Sequence, residues 1–234
     1  VVFIQKTKIN LRRNKMNKKN KKEVNENLNL TEIICVIDRS GSMSSIKDDA
    51  IGGFNSFLKE QQELPGEAKL TLVLFDDQYD IIYEGVPIED VKPLTEKTYI
   101  PRGMTALLDA VGKTVNTVSS RIASSKDITP QVVVAILTDG AENCSKEYTR
   151  EQITDSITKY KEKRWEFVFL AANQDAIQSG GSIGIDANRS CNFIATGAGI
   201  AKGFSGMSAS IASYRSTGSI DNVNWSNPQD NDDD

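Results

Sequence analysis

A doubly wound α/β fold, with a mostly parallel central sheet, one antiparallel edge strand and helices on both faces, is what residues 30–216 predict. Three observations carry that prediction. Short β-branched apolar runs alternate with stretches whose apolar residues recur at helical spacing, the pattern of strands covered on both faces by crossover helices. Two of the runs are separated by almost nothing, which demands a hairpin and so one antiparallel pair. Two others stop abruptly at an aspartate, Asp38 and Asp139.

The elements follow in order. Thr31–Asp38 (TEIICVID) is a buried strand, and Ile46, Ala50, Phe54, Phe57 and Gln61 mark a helix over 45–63, stopped by LPGE. Ala68–Asp77 and Tyr79–Val86 form the hairpin, with the second strand at the sheet edge. After an irregular stretch, Leu107, Leu108, Val111, Val115, Val118 and Ile122 define a long amphipathic helix. Pro130–Gly140 (PQVVVAILTDG) is the strongest strand. Ile153, Ile157 and Tyr160 give a helix, Trp165–Asn173 a strand, Ser190–Thr196 a short last strand, and Ile200 to Tyr214 the last helix. The glycine-rich SGGSIG (Ser179–Gly184) lacks the Lys-Ser/Thr of a phosphate loop and reads as a loop.

The charge is unevenly spread. Residues 1–22 hold nine Lys or Arg and no acid, whereas residues 221–234 hold five Asp and no base. Such runs stay solvated, so residues 1–29 read as a basic arm and 217–234 as an acidic tail, both disordered. The arm has almost nothing aromatic interleaved, which argues against nucleic acid. Met16 offers an alternative start. No membrane span or apolar signal core is visible, which points to the cytoplasm. The three cysteines, Cys35, Cys144 and Cys191, suit a reduced compartment. Histidine is absent, which excludes a Ser-His-Asp triad and histidine-ligated zinc.

Right-handed crossovers place the strand C-termini along one edge, so Asp38 and Asp139 aim at one rim. Asp38-Arg39-Ser40-Gly41-Ser42 brings a carboxylate and two hydroxyls there, and Thr105, before its helix, a third hydroxyl that can also cap exposed amides. Two carboxylates and three hydroxyls are hard oxygen donors of the kind that suit Mg²⁺. Arg39 reads as a solvent-facing surface charge. Asp76, Asp77 and Asp80 read as turn chemistry, and Ala172–Asp175 (ANQD) as a further lining of the rim.

The pattern Asp38, Ser40, Ser42, then Thr105, then Asp139 resembles the metal-ion-dependent adhesion site of von Willebrand factor A (vWA) domains. The resemblance covers about residues 31–214, and DRSGSM and LTDGAEN resemble the intracellular bacterial and phage branch. It implies a Rossmann-like fold and a Mg²⁺ (or Mn²⁺ or Ca²⁺) held by those five residues. It also implies an open coordination position for the acidic side chain of a protein partner. The leading expectation is therefore a binding module and not an enzyme. Two alternatives stand beside it: a metal-dependent phosphatase or nucleotide hydrolase with Asp38 as nucleophile, and an assembly subunit whose metal is structural. Self-association through the acidic tail, with its carboxylates visiting the site, is a further expectation.

Overall fold

The computed structural model describes residues 30–125, 129–172 and 176–220; the basic arm and all of the tail after Ile220 lie outside them. Six strands form one sheet: β1 (Leu30–Asp38), β2 (Glu67–Phe75), β3 (Tyr79–Pro87), β4 (Gln131–Thr138), β5 (Trp165–Ala172) and β6 (Ser190–Phe193). Their order is β3-β2-β1-β4-β5-β6. Among the described strands only β2 and β3 pair antiparallel, at the edge as expected. The helices are α1 (Lys47–Glu63), α2 (Leu107–Ser124), α3 (Arg150–Lys161), α4 (Ala176–Gly181) and α5 (Gly197–Thr217).

Side-chain alternation along the strands divides the core in two. Ile33, Cys35 and Ile37 of β1, with Val133, Ala135 and Leu137 of β4, pack with Phe54 and Phe57 of α1 and with Phe204 and Ile211 of α5. Ile34 and Val36, with Val132, Val134 and Ile136, pack with Val111 and Val115 of α2 and with Ile153 and Ile157 of α3. Both faces of the central strands are thus sealed, which is why those runs are continuously apolar. Gly53 allows α1 and α5 to approach closely, because a Cβ there would stand 2.3 Å from the Phe204 ring.

The element ends differ from expectation where tertiary partners intervene. The 3₁₀ turn Gly41–Ile46 carries the chain off the rim, so α1 starts at Lys47 and not at residue 45. Part of the glycine-rich stretch expected to be a loop is the end of α4. Helix α5 runs through Thr217 to a left-handed Gly218, and Ile220 is buried in the core, so the folded chain extends past residue 216. Arg215 donates to the carbonyls of Gln61 (2.6 Å) and Gly66 (3.0 Å), closing the end of α1. Among the described residues, no helix is long and apolar enough to cross a membrane.

Candidate metal centre

The strand order reverses at β1: connections run outward through β2 on one side and through β4 on the other. Such a reversal leaves a crevice beyond the strand C-termini. Asp38 ends β1, and the register Ile37↔Leu137 sets Thr138 beside it. The Thr138 hydroxyl donates to Asp38 Oδ2 (2.6 Å), and the Ser40 amide donates to Asp38 Oδ1 (2.6 Å). Beyond Asp38 the polar chain continues. Ser40 Oγ lies 3.0 Å from Ser42 Oγ, and the Ser42 hydroxyl donates to Asp139 Oδ1 (2.6 Å). Thr105 joins from the other side, since a Cβ on Gly140 would lie 3.1 Å from Thr105 Oγ1 and 3.6 Å from Ser42 Oγ. The five residues singled out in the sequence therefore lie next to one another along the rim.

Electrostatically the site is short of positive charge. Asp38 is fully buried, and desolvation pushes its carboxyl up to about 6; the Thr138 and Ser40 donors oppose the rise, and the neighbouring charge of Asp139 adds to it. Burial also raises Asp139, against the Ser42 hydroxyl. Among the described residues no ion pair reaches either carboxylate. Nor do three or more His, Cys, Asp or Glu side chains group to hold a metal there, so the donor set consists of two carboxylates and hydroxyls. That set fits a hard divalent cation.

Arg39 departs from its expected role. It is 4% exposed, and its guanidinium donates to Asp76 (3.1 Å) and Asp80 (2.5 Å). Arg102 joins the same two acids at 2.7 and 3.4 Å. Asp76 therefore does more than shape a turn, although its Oδ1 does accept from the Gln78 amide. The network fixes the loop that carries Thr105. So do bonds from the Arg102 amide to the Arg39 carbonyl (2.9 Å), from Gly41 N to the Gly103 carbonyl (3.2 Å) and from the buried Tyr99 hydroxyl to the Asp38 carbonyl (2.5 Å). Gly103 has φ +66° and lies against Asp77, a conformation suited to glycine.

Thr105 makes no side-chain cap on α2. The Leu108 amide is instead satisfied by Glu142 Oε2 (3.0 Å) from the loop after β4. In the same loop Asn143 grips Thr105 twice: its Oδ1 accepts from Thr105 N (2.9 Å), and its own amide donates to the Thr105 carbonyl (3.1 Å). Burial works to raise the Asp109 carboxyl, but the amides of Lys146, Tyr148 and Glu147 outweigh it and hold the group below its ordinary value. The Cys144 thiol is pushed up by burial and by Glu142, against the charge of Lys146. The sequence assigns no role to Tyr99, Thr138, Glu142 or Asn143; the last three lie in LTDGAEN, the stretch that carried a local signal. Of the ANQD stretch, Ala172 ends β5 buried, and residues 173–175 lie outside the described residues.

No protein-family model matches the chain, and no curated protein matches it significantly. Solved structures do. The vWF domain of the type V pili tip protein Mfa5 from Porphyromonas gingivalis superposes with a TM-score of 0.56 at 12% identity, over 77% of this chain and 94% of that one. Proximal thread matrix protein 1 from the mussel byssus, with a zinc-occupied MIDAS motif, gives 0.57 at 14% identity, over 78% and 48%. A von Willebrand factor type A protein from Catenulispora acidiphila gives 0.54 at 15%, over 77% and 42%. The chain thus spans less than half of the mussel and Catenulispora chains. It has the fold of these von Willebrand factor type A structures.

Proposed function

We infer that the chain is a divalent-metal-dependent protein-binding module, in which Asp38, Ser40, Ser42, Thr105 and Asp139 hold Mg²⁺, Mn²⁺ or Ca²⁺. One observation carries this reading: a buried carboxylate, Asp38, and its partner Asp139 are linked through Ser40 and Ser42, with no ion pair to either among the described residues. A bound divalent ion supplies that charge and a coordination position for a carboxylate from a protein partner. The zinc-occupied MIDAS of the mussel protein, which shares the fold, supports the assignment.

The chain's own residues favour binding over catalysis. Asp38 is fully buried, and each of its oxygens accepts a hydrogen bond that fixes its orientation, an arrangement suited to a held ligand more than to a mobile nucleophile. The sequence has no histidine to serve as general base. Thr138 and the Ser40 amide orient Asp38, and Ser42 orients Asp139.

Calorimetry tests the reading. Mg²⁺ or Mn²⁺ should bind one site in the wild type and fail to bind a folded Asp38→Ala, Ser40→Ala double variant. Equal affinity in that variant overturns the assignment. Metal-dependent hydrolysis of a generic phosphate ester, lost with Asp38, would restore the enzymatic reading, and metal-independent partner binding would point to an assembly subunit.

A further inference from the structure

Among the described residues five large apolar side chains are exposed: Ile81, Ile100, Met104, Ile177 and Ile194. Ile81 lies on the edge strand β3. The other four lie at the end of the sheet that carries the candidate metal centre. Ile100 and Met104 (53% and 55% exposed) belong to the loop tied to the Asp38 carbonyl through Tyr99 and to Gly41 through Gly103. Met104 immediately precedes Thr105. Ile177 is in the first turn of α4, just beyond the C-terminal end of β5, and Ile194 directly follows β6.

Single exposed apolar residues are ordinary, but four at one end of a sheet, on either side of a polar centre, are a pattern. Backbone bonds from Arg102 to Arg39 and from Ala106 to Asp76 hold the loop of Ile100 and Met104 beyond β1 and β2, and Ile177 and Ile194 follow the ends of β5 and β6, on the far side of β4 in the sheet. Arg102, between Ile100 and Met104, is held by Asp76 and Asp80. The flanks therefore offer apolar surface, while the centre offers charge complementarity to a carboxylate once a cation is bound. Strands sit about 4.8 Å apart, so the three steps from β1 to β6 span roughly 15 Å, the length of about five extended residues.

We propose that this rim takes a protein segment whose acidic residue is flanked on both sides, within a few residues, by large apolar side chains. The acid meets the metal centre, and the apolar residues pack on Ile100 and Met104 to one side and on Ile177 and Ile194 to the other. The proposal rests on the metal-binding reading above and adds the chemistry of the partner.

The test uses the full chain and three synthetic peptides in saturating Mg²⁺: one glutamate between leucine pairs, the same peptide with serines for the leucines, and the leucine peptide with glutamine for glutamate. The leucine–glutamate peptide should bind about tenfold more tightly than the serine peptide, as expected for partial burial of two or three large apolar side chains. The glutamine peptide should not bind. The double variants I100S/M104S and I177S/I194S should each lose a good part of the leucine advantage while keeping the wild-type affinity for Mg²⁺ alone. Equal binding of the leucine and serine peptides, equal binding of the glutamine peptide, or no peptide binding to a chain that binds Mg²⁺ would each overturn the proposal. Failure to bind Mg²⁺ alone would remove the metal-binding reading first, and this proposal with it.

Discussion

Two pairs of aspartates occupy the same rim and are treated in opposite ways. Asp76 and Asp80, just beyond β2 and at the start of β3, are held by two guanidiniums, those of Arg39 and Arg102. Asp38 and Asp139, at the ends of β1 and β4, have only hydroxyl and amide donors, and both carboxyls are raised by burial. The first pair is neutralised within the chain and serves to fix a loop. The second is left with its charge opposed only by neutral donors, which is costly for a buried group unless a cation arrives. The contrast separates, on one surface, acids paired by cations within the chain from acids that are not.

The largest effect should come from breaking the neutralised pair. Arg39→Met leaves the fully buried Asp76 with Arg102 as its one remaining guanidinium partner and should lower unfolding free energy by about 1.5–3 kcal/mol. Urea unfolding should show that loss with and without Mg²⁺; a loss confined to one condition would mean the two pairs are not distinct.

The other pair should respond with the opposite sign. Asp38 is pushed from its ordinary 3.8 to about 6, so its charged form is disfavoured in the fold. The resulting destabilisation is absent below pH 3.8, grows between there and about 6, and is complete above; it is worth about 3 kcal/mol at pH 7. Metal-free Asp38→Asn should accordingly be more stable than wild type at pH 7 by about 1–3 kcal/mol, and should lose that advantage near pH 4. Mg²⁺ should then stabilise the wild type and not the variant. Destabilisation of the metal-free variant at pH 7 would show that Asp38 serves the fold as Asp76 does.

A smaller effect sharpens the comparison. Asn143→Ala removes the acceptor for the Thr105 amide and should cost about 1–2 kcal/mol. Because Thr105 then moves more freely, Mg²⁺ should bind several-fold more weakly, as is typical when an outer-shell partner is lost. Asn143→Asp retains an acceptor and should restore much of the stability. Thermal unfolding and calorimetry on the same samples separate the two readouts.

The strands, the hairpin and the convergence of five donors were legible because they rest on local pattern: alternation, chain reversal and strand-end carboxylates. Arg39 was not, since its burial depends on Asp76, which lies 37 residues away in sequence and reaches it only after β1 and β2 pair. Glu142 was invisible as the partner of α2 for the same reason, the Leu108 amide being 34 residues distant. The helical turn within SGGSIG was missed because glycine carries no side-chain signal to set against its low helix propensity. Sequence thus disclosed which groups stand at the rim better than which of them are already partnered.

The pairing of β1 with β4 joins segments about a hundred residues apart, as the Thr138–Asp38 hydrogen bond does at its end. During synthesis the amino-terminal half emerges with Asp38, Ser40, Ser42 and Thr105 in hand, but β1 has β2 on one side and an open edge on the other. Contacts of such long range form late and leave apolar edges bare in the meantime. Asp139 arrives only when β4 closes that edge. The rim is thereby completed by the same event that completes the sheet, so the five oxygen donors come together only when folding is done.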